Sequence, residues 1–214
     1  MRSRTVAGAI IGLAVLGGTA KAQASTLSVD AACYLSGSPI SASGTGFTPG
    51  GPVNFAFDGR PSTSGTADTA GNIAQPLTAP ILPASTAEHT YSLAAQDQTN
   101  PALAATASVA VAERVATVTP HRARPKRKVK FGVHALNPNQ PVWLHYIFHG
   151  KQHYRKKLGT AKPPCGSLTR RSRFFPVNRP RTGTWTFQFD NTKRYSKSTQ
   201  PQIRGPVQIY NTFR

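Results

Sequence analysis

Residues 46–57 read GFTPGGPVNFAF, and residues 135–146 read ALNPNQPVWLHY. Both stretches contain a proline, two turn residues, a Pro-Val pair and then a segment in which apolar and other side chains alternate. Alternation with a period of two is typical of a β-strand that buries one face. The stretches lie 89 residues apart, and we therefore expect two related β-domains in tandem.

A second pair of similar segments extends the repeat. Residues 89–93 (HTYSL) correspond to residues 183–187 (GTWTF), and each copy closes with an alternating segment, at residues 108–115 and 207–213. Glycine and proline, 18 of each, are spread along the chain, and no long stretch has helical spacing. The sequence therefore predicts an all-β protein made of two tandem sandwiches.

The first half resembles the immunoglobulin-like repeats of bacterial secreted and cell-surface proteins. The resemblance covers residues 26–115 and is carried by residues 44–50 (GTGFTPG), by the strand that ends at Asp58-Gly59, and by Asp68 followed by Gly71-Asn72. It implies two tandem immunoglobulin-like β-sandwiches that serve as spacers or binding modules, and it brings no catalytic residues. The second half has Pro138-Asn139 in place of Pro-Gly and joins the family by the internal repeat only.

The N-terminus has the features of a secretory signal peptide. Arg2 and Arg4 precede an apolar run at residues 6–18, and Ala22-Gln23-Ala24 forms a small-x-small cleavage site. The run is shorter than the roughly 20 residues that span a membrane. We expect cleavage after Ala24, a mature chain without a transmembrane span, and a secreted protein that is extracellular or in the cell envelope.

Charge divides the mature chain into two parts. Residues 25–118 carry two arginines against six acids, a net −4, whereas residues 119–214 carry 21 Lys or Arg against Asp190 alone, a net +20. We expect a mildly acidic immunoglobulin-like sandwich at 25–118, a basic linker at 119–128 and a basic β-sandwich at 129–214. Such a basic surface attracts polyanions, although solubility or attraction to the acidic half is the simpler explanation.

Two cysteines, Cys33 and Cys165, fall one in each half. Secretion permits a disulfide, but this bridge would have to join two domains. The expectation is two separate thiols.

The repeat also predicts which side chains of the second half face outward. If Val142, Leu144, Tyr146 and Phe148 form the core, then Trp143 and His145 point away from it. The returning strand adds outward cations. The predicted outer patch consists of Trp143, His145, His153, Arg155 and Lys157. An aromatic ring among cations suits sugar stacking or anion binding, and the alternative is that Trp143 packs under another strand or against the first domain.

A second basic cluster surrounds residues 174–176 and consists of Arg170, Arg171, Arg173, Arg179 and Arg181. Guanidinium groups bind phosphate and carboxylate with two parallel hydrogen bonds. We expect an anionic envelope polymer or acidic glycan as the partner. An anionic lipid surface is a further option, and nucleic acid is one only outside the cell.

The sequence offers little for catalysis, and neither a metal nor a cofactor is predicted. Asp190 is the only carboxylate of the second half, so paired carboxylates are lacking there. Cys165 and His149 weakly resemble the Cys and His of the L,D-transpeptidases, but residues 162–164 before Cys165 lack the motif of that family. His145, His149 and His153 are spaced by four, and solvated hairpin histidines explain that spacing better than metal binding.

We therefore predict a secreted or surface-associated protein without enzymatic activity. Its basic C-terminal module binds an anionic envelope polymer, glycan or lipid surface. The alternatives are a cysteine-dependent wall enzyme that uses Cys165 and His149, and a purely structural spacer.

Overall fold

The computed structural model describes residues 24–121 and 123–210. Within these ranges the chain forms strands, turns and loops and contains no α-helix, so no described segment is a helix that could cross a membrane. The predicted signal peptide, apart from Ala24, lies outside the described residues.

The first sandwich is made of eight strands. They are β1 (Thr26–Val29), β2 (Cys33–Leu35), β3 (Pro39–Thr45), β4 (Pro52–Phe57), β5 (Arg60–Thr66), β6 (Ile73–Thr78), β7 (Glu88–Asp97) and β8 (Ala104–Ala112). One sheet has the order β1-β3-β6, and the facing sheet has the order β2-β8-β7-β4-β5. All neighbours are antiparallel except β2, which runs parallel to β8.

The second sandwich is made of seven strands. They are β9 (Ala116–Thr119), β10 (Lys128–Val133), β11 (Pro141–Phe148), β12 (Lys151–Thr160), β13 (Leu168–Arg173), β14 (Gly183–Asp190) and β15 (Gln202–Ile209). Its sheets, β9-β10-β13 and β15-β14-β11-β12, repeat the strand order β1-β3-β6 and β8-β7-β4-β5 of the first sandwich. The predicted fold class, two tandem immunoglobulin-like sandwiches, is confirmed.

The repeat extends to the backbone conformation of the turns. Gly50 and its counterpart Asn139 both have positive φ angles, 66° and 60°. The β4–β5 hairpin turns at Asp58-Gly59 and the β11–β12 hairpin at His149-Gly150, and all four residues have positive φ. Two-residue turns with this geometry match the twist of the flanking strands. His-Gly in the second sandwich thus takes the place of Asp-Gly in the first.

Each sandwich has its own core, with the predicted side-chain directions. Val53, Phe55 and Phe57 are buried in the first sandwich, and the counterparts Val142 and Leu144 are fully buried in the second. The second core is the more aromatic. Its rings belong to Phe131, Tyr146, Phe148, Phe174, Phe175, Trp185, Phe187 and Phe189.

The strand pairing places the junction earlier than the sequence predicts. β9 pairs with β10 through Val118↔Phe131 and Thr119↔Lys130. The second sandwich therefore begins at Ala116 and not at residue 129, the predicted start. Residues 120–127 then connect two strands of one sheet, and the amide of Phe174 donates to the carbonyl of Arg127 at 2.9 Å. The described residues of the basic segment 119–128 are therefore part of the second sandwich. The true connection between the sandwiches is residues 113–115.

The expectation of two separate thiols is wrong. Cys33 and Cys165 form a disulfide, with Cα atoms 5.2 Å apart. Cys33 lies on β2, and Cys165 lies in the turn between β12 and β13. Ala110, Ala112 and Ala135 pack around the bridge in a small apolar cluster shared by both sandwiches. The three-residue connection brings the domains close enough for a bond that the sequence separation of 132 residues does not suggest.

A polar cluster accompanies the disulfide at the junction. Glu88, the first residue of β7, contacts His134 Nδ1 at 3.3 Å and accepts a hydrogen bond from Ser167. Ser167 Oγ also lies 3.1 Å from His134 Nδ1. The carboxylate comes from the first sandwich and its two partners from the second, so these contacts hold the sandwiches together.

We expect the double substitution Cys33→Ser/Cys165→Ser to lower the free energy of unfolding by about 5 kcal/mol, because the bridge closes a long loop in the unfolded chain. Urea unfolding of both proteins measures the difference. Alkylation of the native wild type is the control, since a bonded pair takes up no reagent before reduction. Equal stabilities, or two reactive thiols in the native protein, would contradict the bridge.

Candidate functional site

The cations of the second sandwich concentrate where two edge strands meet. β12 is the last strand of one sheet and β13 the last strand of the other, and the two strands approach each other along one side of the sandwich. Six cations of these strands form the feature called here the cationic edge. They are Arg155, Lys156, Lys157, Arg170, Arg171 and Arg173.

The structure brings together only part of the predicted set. Arg155, Lys157, Arg170, Arg171 and Arg173 are all exposed and belong to the cationic edge. Five of the eight predicted site residues thus lie on the two adjacent edge strands, with Arg155 and Lys157 on the outer face of one sheet and Arg171 and Arg173 on the outer face of the other. Trp143, His145 and His153 have different positions, described next.

Trp143 stays on the outer side of its sheet. It is half-buried, and it lies opposite Lys157 on β12 and Asp190 on β14. It is not a member of the core of the second sandwich. The predicted direction of this side chain is therefore correct, and its ring lies next to the cationic edge.

His145 also points away from the core, but the prediction that it belongs to an exposed patch is wrong. Its side chain is fully buried, because the β14–β15 loop folds back over the outer face of the sheet. Within that loop, the Thr192 carbonyl oxygen lies 3.1 Å from His145 Nε2, and the Tyr195 ring centroid lies 5.9 Å from the His145 ring.

His145 is the centre of a buried polar network. Its Nδ1 lies 2.8 Å from Gln152 Oε1, and its Nε2 lies 3.2 Å from Asp190 Oδ1. Gln188 donates to Asp190 Oδ2 at 2.6 Å and accepts a hydrogen bond from Arg204 at 2.8 Å. Both ring nitrogens therefore face acceptors, which is the arrangement that an imidazolium needs. Neither nitrogen is available to a ligand or a metal.

The network shifts the pKa values of both charged groups. Burial disfavours the imidazolium, but the hydrogen bond and charge of Asp190, with Gln152 and the Thr192 carbonyl, outweigh it and raise the pKa of His145. Burial likewise disfavours the carboxylate, but hydrogen bonds from His145, Gln188 and Thr192 lower the pKa of Asp190. The result is a buried ion pair that ties the loop to the sheet.

His153 is exposed, but it lies apart from the predicted patch. The register between β11 and β12 shifts between Tyr146 and Ile147, where β12 has one extra residue. Such a bulge changes the direction in which the side chain of the extra residue, here His153, points. The His153 ring lies 5.6 Å from the ring of Trp185, a core residue, and 6.1 Å from that of Phe148. The sequence contains no direct signal for this bulge.

Two cations outside the predicted set extend the site onto the face of the sheet. Lys128 pairs with Arg173, and Lys130 pairs with Arg171. The residue between them, Val129, is buried, so both lysines point outward and are exposed. The alternation Lys-Val-Lys-Phe is the sequence signal for these positions. Because the sequence predicts a linker that ends at residue 128, this alternation is not recognised there as the start of a strand.

The lysines and arginines of the second sandwich have no carboxylate partners among the described residues. The three carboxylate–cation contacts found there all involve histidine, namely His89, His134 and His145. The carboxylate of Asp190, the one acid of this half, already contacts His145 and Gln188 in the buried network. Burial and the charges of Arg173 and Arg170 lower the pKa of Lys156, which lies at the centre of the cationic edge. An anion bound here would relieve the repulsion among like charges.

The structure removes the basis of the thiol-enzyme alternative. Cys165 is bonded to Cys33 and buried, so it carries no thiolate. Glu88, His134 and Ser167 have the residue types of a hydrolytic triad, but both the serine and the carboxylate contact the same ring nitrogen of His134. A triad needs them on opposite nitrogens. This cluster is a junction contact.

A cleft of about 580 Å³ lies beside the disulfide, between the sandwiches. Its walls include Leu35 and Leu136, and Arg114 is its one charged lining residue. None of the predicted site residues lines it. The cationic edge is therefore separate from this cleft.

No family model matches the sequence, and no curated protein matches it either. Solved structures with some likeness include a tetra-tandem repeat in the extending region of a large adhesion protein, with a TM-score of 0.29 and 16% identity. Another is a set of fibronectin(III)-like modules of Clostridium thermocellum CbhA, with a TM-score of 0.30 and 13% identity. A bacterial ice-binding adhesin has a TM-score of 0.33 and 11% identity.

These matches cover 86%, 86% and 85% of this chain, in that order, and 49%, 93% and 62% of the other chains. The chain thus spans about half of the adhesion-protein structure. Likeness at these TM-scores carries no argument about function. The fold assignment rests on the matching strand orders of the two sandwiches.

We expect His145→Gln to lower the free energy of unfolding by about 3 kcal/mol at about pH 6, because it leaves Asp190 buried without its cation. The pKa of His145 is raised above its ordinary 6.5 in the folded state. The stabilisation by the imidazolium is therefore fully present below about pH 6.5 and is lost as the pH rises through the folded-state pKa.

Urea unfolding of wild type and variant from about pH 6 to about pH 9 measures this effect, and the difference between them should shrink with rising pH. Lys193→Gln, an exposed change in the covering loop, is the matched control and should show a small and constant difference. A gap between wild type and His145→Gln that is the same at every pH would contradict the buried ion pair.

Proposed function

We propose that this is a secreted binding protein without enzymatic activity, whose basic second sandwich binds an anionic polymer of the cell envelope. The first sandwich serves as the spacer that presents it. The partner in this proposal is an anionic envelope polymer or an acidic glycan. An anionic lipid surface and extracellular nucleic acid are the other polyanions that the binding test includes.

The observation that carries the proposal is the cationic edge without carboxylate partners. Six exposed or half-buried cations lie on two adjacent edge strands, and the only acid of this half is buried in the His145 network. Positive potential of this density attracts polyanions and releases their counterions on binding. Trp143 adds a half-buried ring next to Lys157, where a sugar of the polymer has an apolar face to pack on.

Two features support a location outside the cytoplasm. One is the signal-peptide pattern of residues 1–24. The other is the Cys33–Cys165 disulfide, because such bonds form and persist in oxidising compartments. Both fit a protein that meets envelope polymers after export.

A purely structural role is the second candidate function, and the location of the cations on edge strands supports it. Charged residues on edge strands prevent sheets of different molecules from pairing, and β12 and β13 are both edge strands. In that case the cationic edge would serve solubility alone, and the protein would bind no polyanion at physiological salt.

The test is cosedimentation of the full mature chain with isolated cell envelope at low and moderate salt. We expect retention at low salt that falls steeply as salt rises, since each neutralised anion releases counterions. Arg170→Ser/Arg173→Ser should weaken retention and make the salt dependence shallower by about two counterions.

Arg60→Ser/Arg114→Ser is the matched control, because it removes the same charge at two positions outside the second sandwich, one on β5 and one in the connection 113–115. It should leave retention unchanged. Retention that is insensitive to salt, or that falls equally in both double variants, would contradict binding through the cationic edge. Absence of retention at low salt would favour the structural role.

A further inference from the structure

One face of the second sandwich is built almost entirely from hydrogen-bond donors. On the outer side of the sheet β9-β10-β13, Lys128 lies opposite Arg173, and Lys130 lies opposite Arg171. These four exposed residues are called here the cationic ladder. The strand positions between them, Val129 and Ser172, are buried, so the four ladder side chains are arranged in order on the opposite face of the sheet.

Threonines complete this face. Thr119 lies opposite Lys130, while Thr117 and Thr169 flank Gly132. A Cβ atom at Gly132 would lie 2.6 Å from Thr117 Oγ1, so the glycine makes room for that hydroxyl. The face therefore presents ammonium, guanidinium and hydroxyl groups, and it carries no carboxylate and no aromatic ring among these described positions.

The ladder has a repeat distance of its own. Its two rungs are the pair Lys128 and Arg173 and the pair Lys130 and Arg171. Because the rungs are formed by alternate residues of antiparallel strands, they lie about 6.8 Å apart along the strand. Six covalent bonds separate the Cα atoms of alternate residues, and that path spans about 7 Å when extended. A polyol phosphate with three carbons between phosphates also has six bonds per repeat. The distance between successive phosphates of such a polymer therefore matches the distance between the two rungs.

We propose that the cationic ladder is a binding site for a phosphodiester polymer of the polyol phosphate class, with one phosphate at each rung. The proposal rests on the function proposed above and names the chemical class of its ligand. Arg171 and Arg173 each supply a planar fork that binds two phosphate oxygens, while Lys128 and Lys130 add a point charge from the other strand. The threonine hydroxyls lie beside the rungs as further donors.

Two features favour this class over other polyanions. Single-stranded nucleic acid has a similar phosphate spacing, but proteins that bind it stack its bases on aromatic side chains, and this face has none. An extended polyglutamate also presents alternate carboxylates about 6.8 Å apart on one face, but these groups lie at the ends of flexible side chains, and ordering them costs conformational entropy that a phosphate within the main chain does not lose. The ladder matches a phosphate chain without bases.

The experiment measures binding of the full, disulfide-bonded chain to three probes of equal charge number. They are poly(glycerol phosphate), polyglutamate and oligothymidylate. The key variant, Arg171→Lys/Arg173→Lys, keeps the charge and removes the forked geometry. Arg179→Lys/Arg181→Lys, in the loop between β13 and β14, is the matched control. Thermal unfolding confirms that both variants are folded.

We expect the wild type to bind poly(glycerol phosphate) at least about fivefold more tightly than the other two probes. The key variant should lose about that factor for poly(glycerol phosphate) and keep the salt dependence, because its charge is unchanged. The control variant should behave as the wild type does.

The other outcomes separate this inference from the proposed function. Equal affinity for poly(glycerol phosphate) and polyglutamate, with no effect of the key variant, would overturn the ladder as a phosphate site but leave polyanion binding intact. Tighter binding of oligothymidylate would also overturn it, in favour of nucleic acid. Failure to bind any probe at low salt would overturn both the inference and the proposed function.

Discussion

The relative position of the two sandwiches depends on one covalent constraint, the disulfide between Cys33 and Cys165. A connection of only three residues, 113–115, already keeps the domains close, and the bridge adds a second link on β2. β2 is also the strand by which the first sandwich departs from the repeat, because no described strand of the second sandwich corresponds to it. This additional strand lies at the junction, where it pairs with β8 and its Cys33 packs against the cluster that contains Ala135.

A second feature, the aromatic core, explains how the second sandwich carries so much charge. Its core is rich in aromatic rings that pack against one another, for example Tyr146 against Phe187 at 4.9 Å between centroids. Burial of these rings contributes the favourable free energy that repulsion among the cations opposes. The one acid of this half, Asp190, is held inside by His145 and neutralises none of the surface cations. The surface lysines and arginines thus have no carboxylate partner among the described residues.

The candidate site could be predicted in part. Residues on exposed edge strands, such as Arg155 and Arg171, follow from alternation alone, because a strand with one buried face places every second side chain outward. His145 obeys the same rule and is nevertheless buried, because a loop from a distant part of the chain covers it. The sequence assigns Lys128 to a linker, because the basic composition of residues 119–128 hides the Lys-Val-Lys-Phe alternation with which β10 begins.

The sequence by itself determined the two-fold repeat, the all-β architecture, the core-facing positions of β4 and β11, and the separation of charge between the halves. These properties depend on local periodicity and composition, which the chain carries in any conformation. Only the tertiary structure decided that Cys33 meets Cys165, that His145 lies under the β14–β15 loop, and that Lys128 and Lys130 stand opposite Arg173 and Arg171. Those contacts join residues far apart in the chain, and their distances exist only after the sheets have closed around their cores.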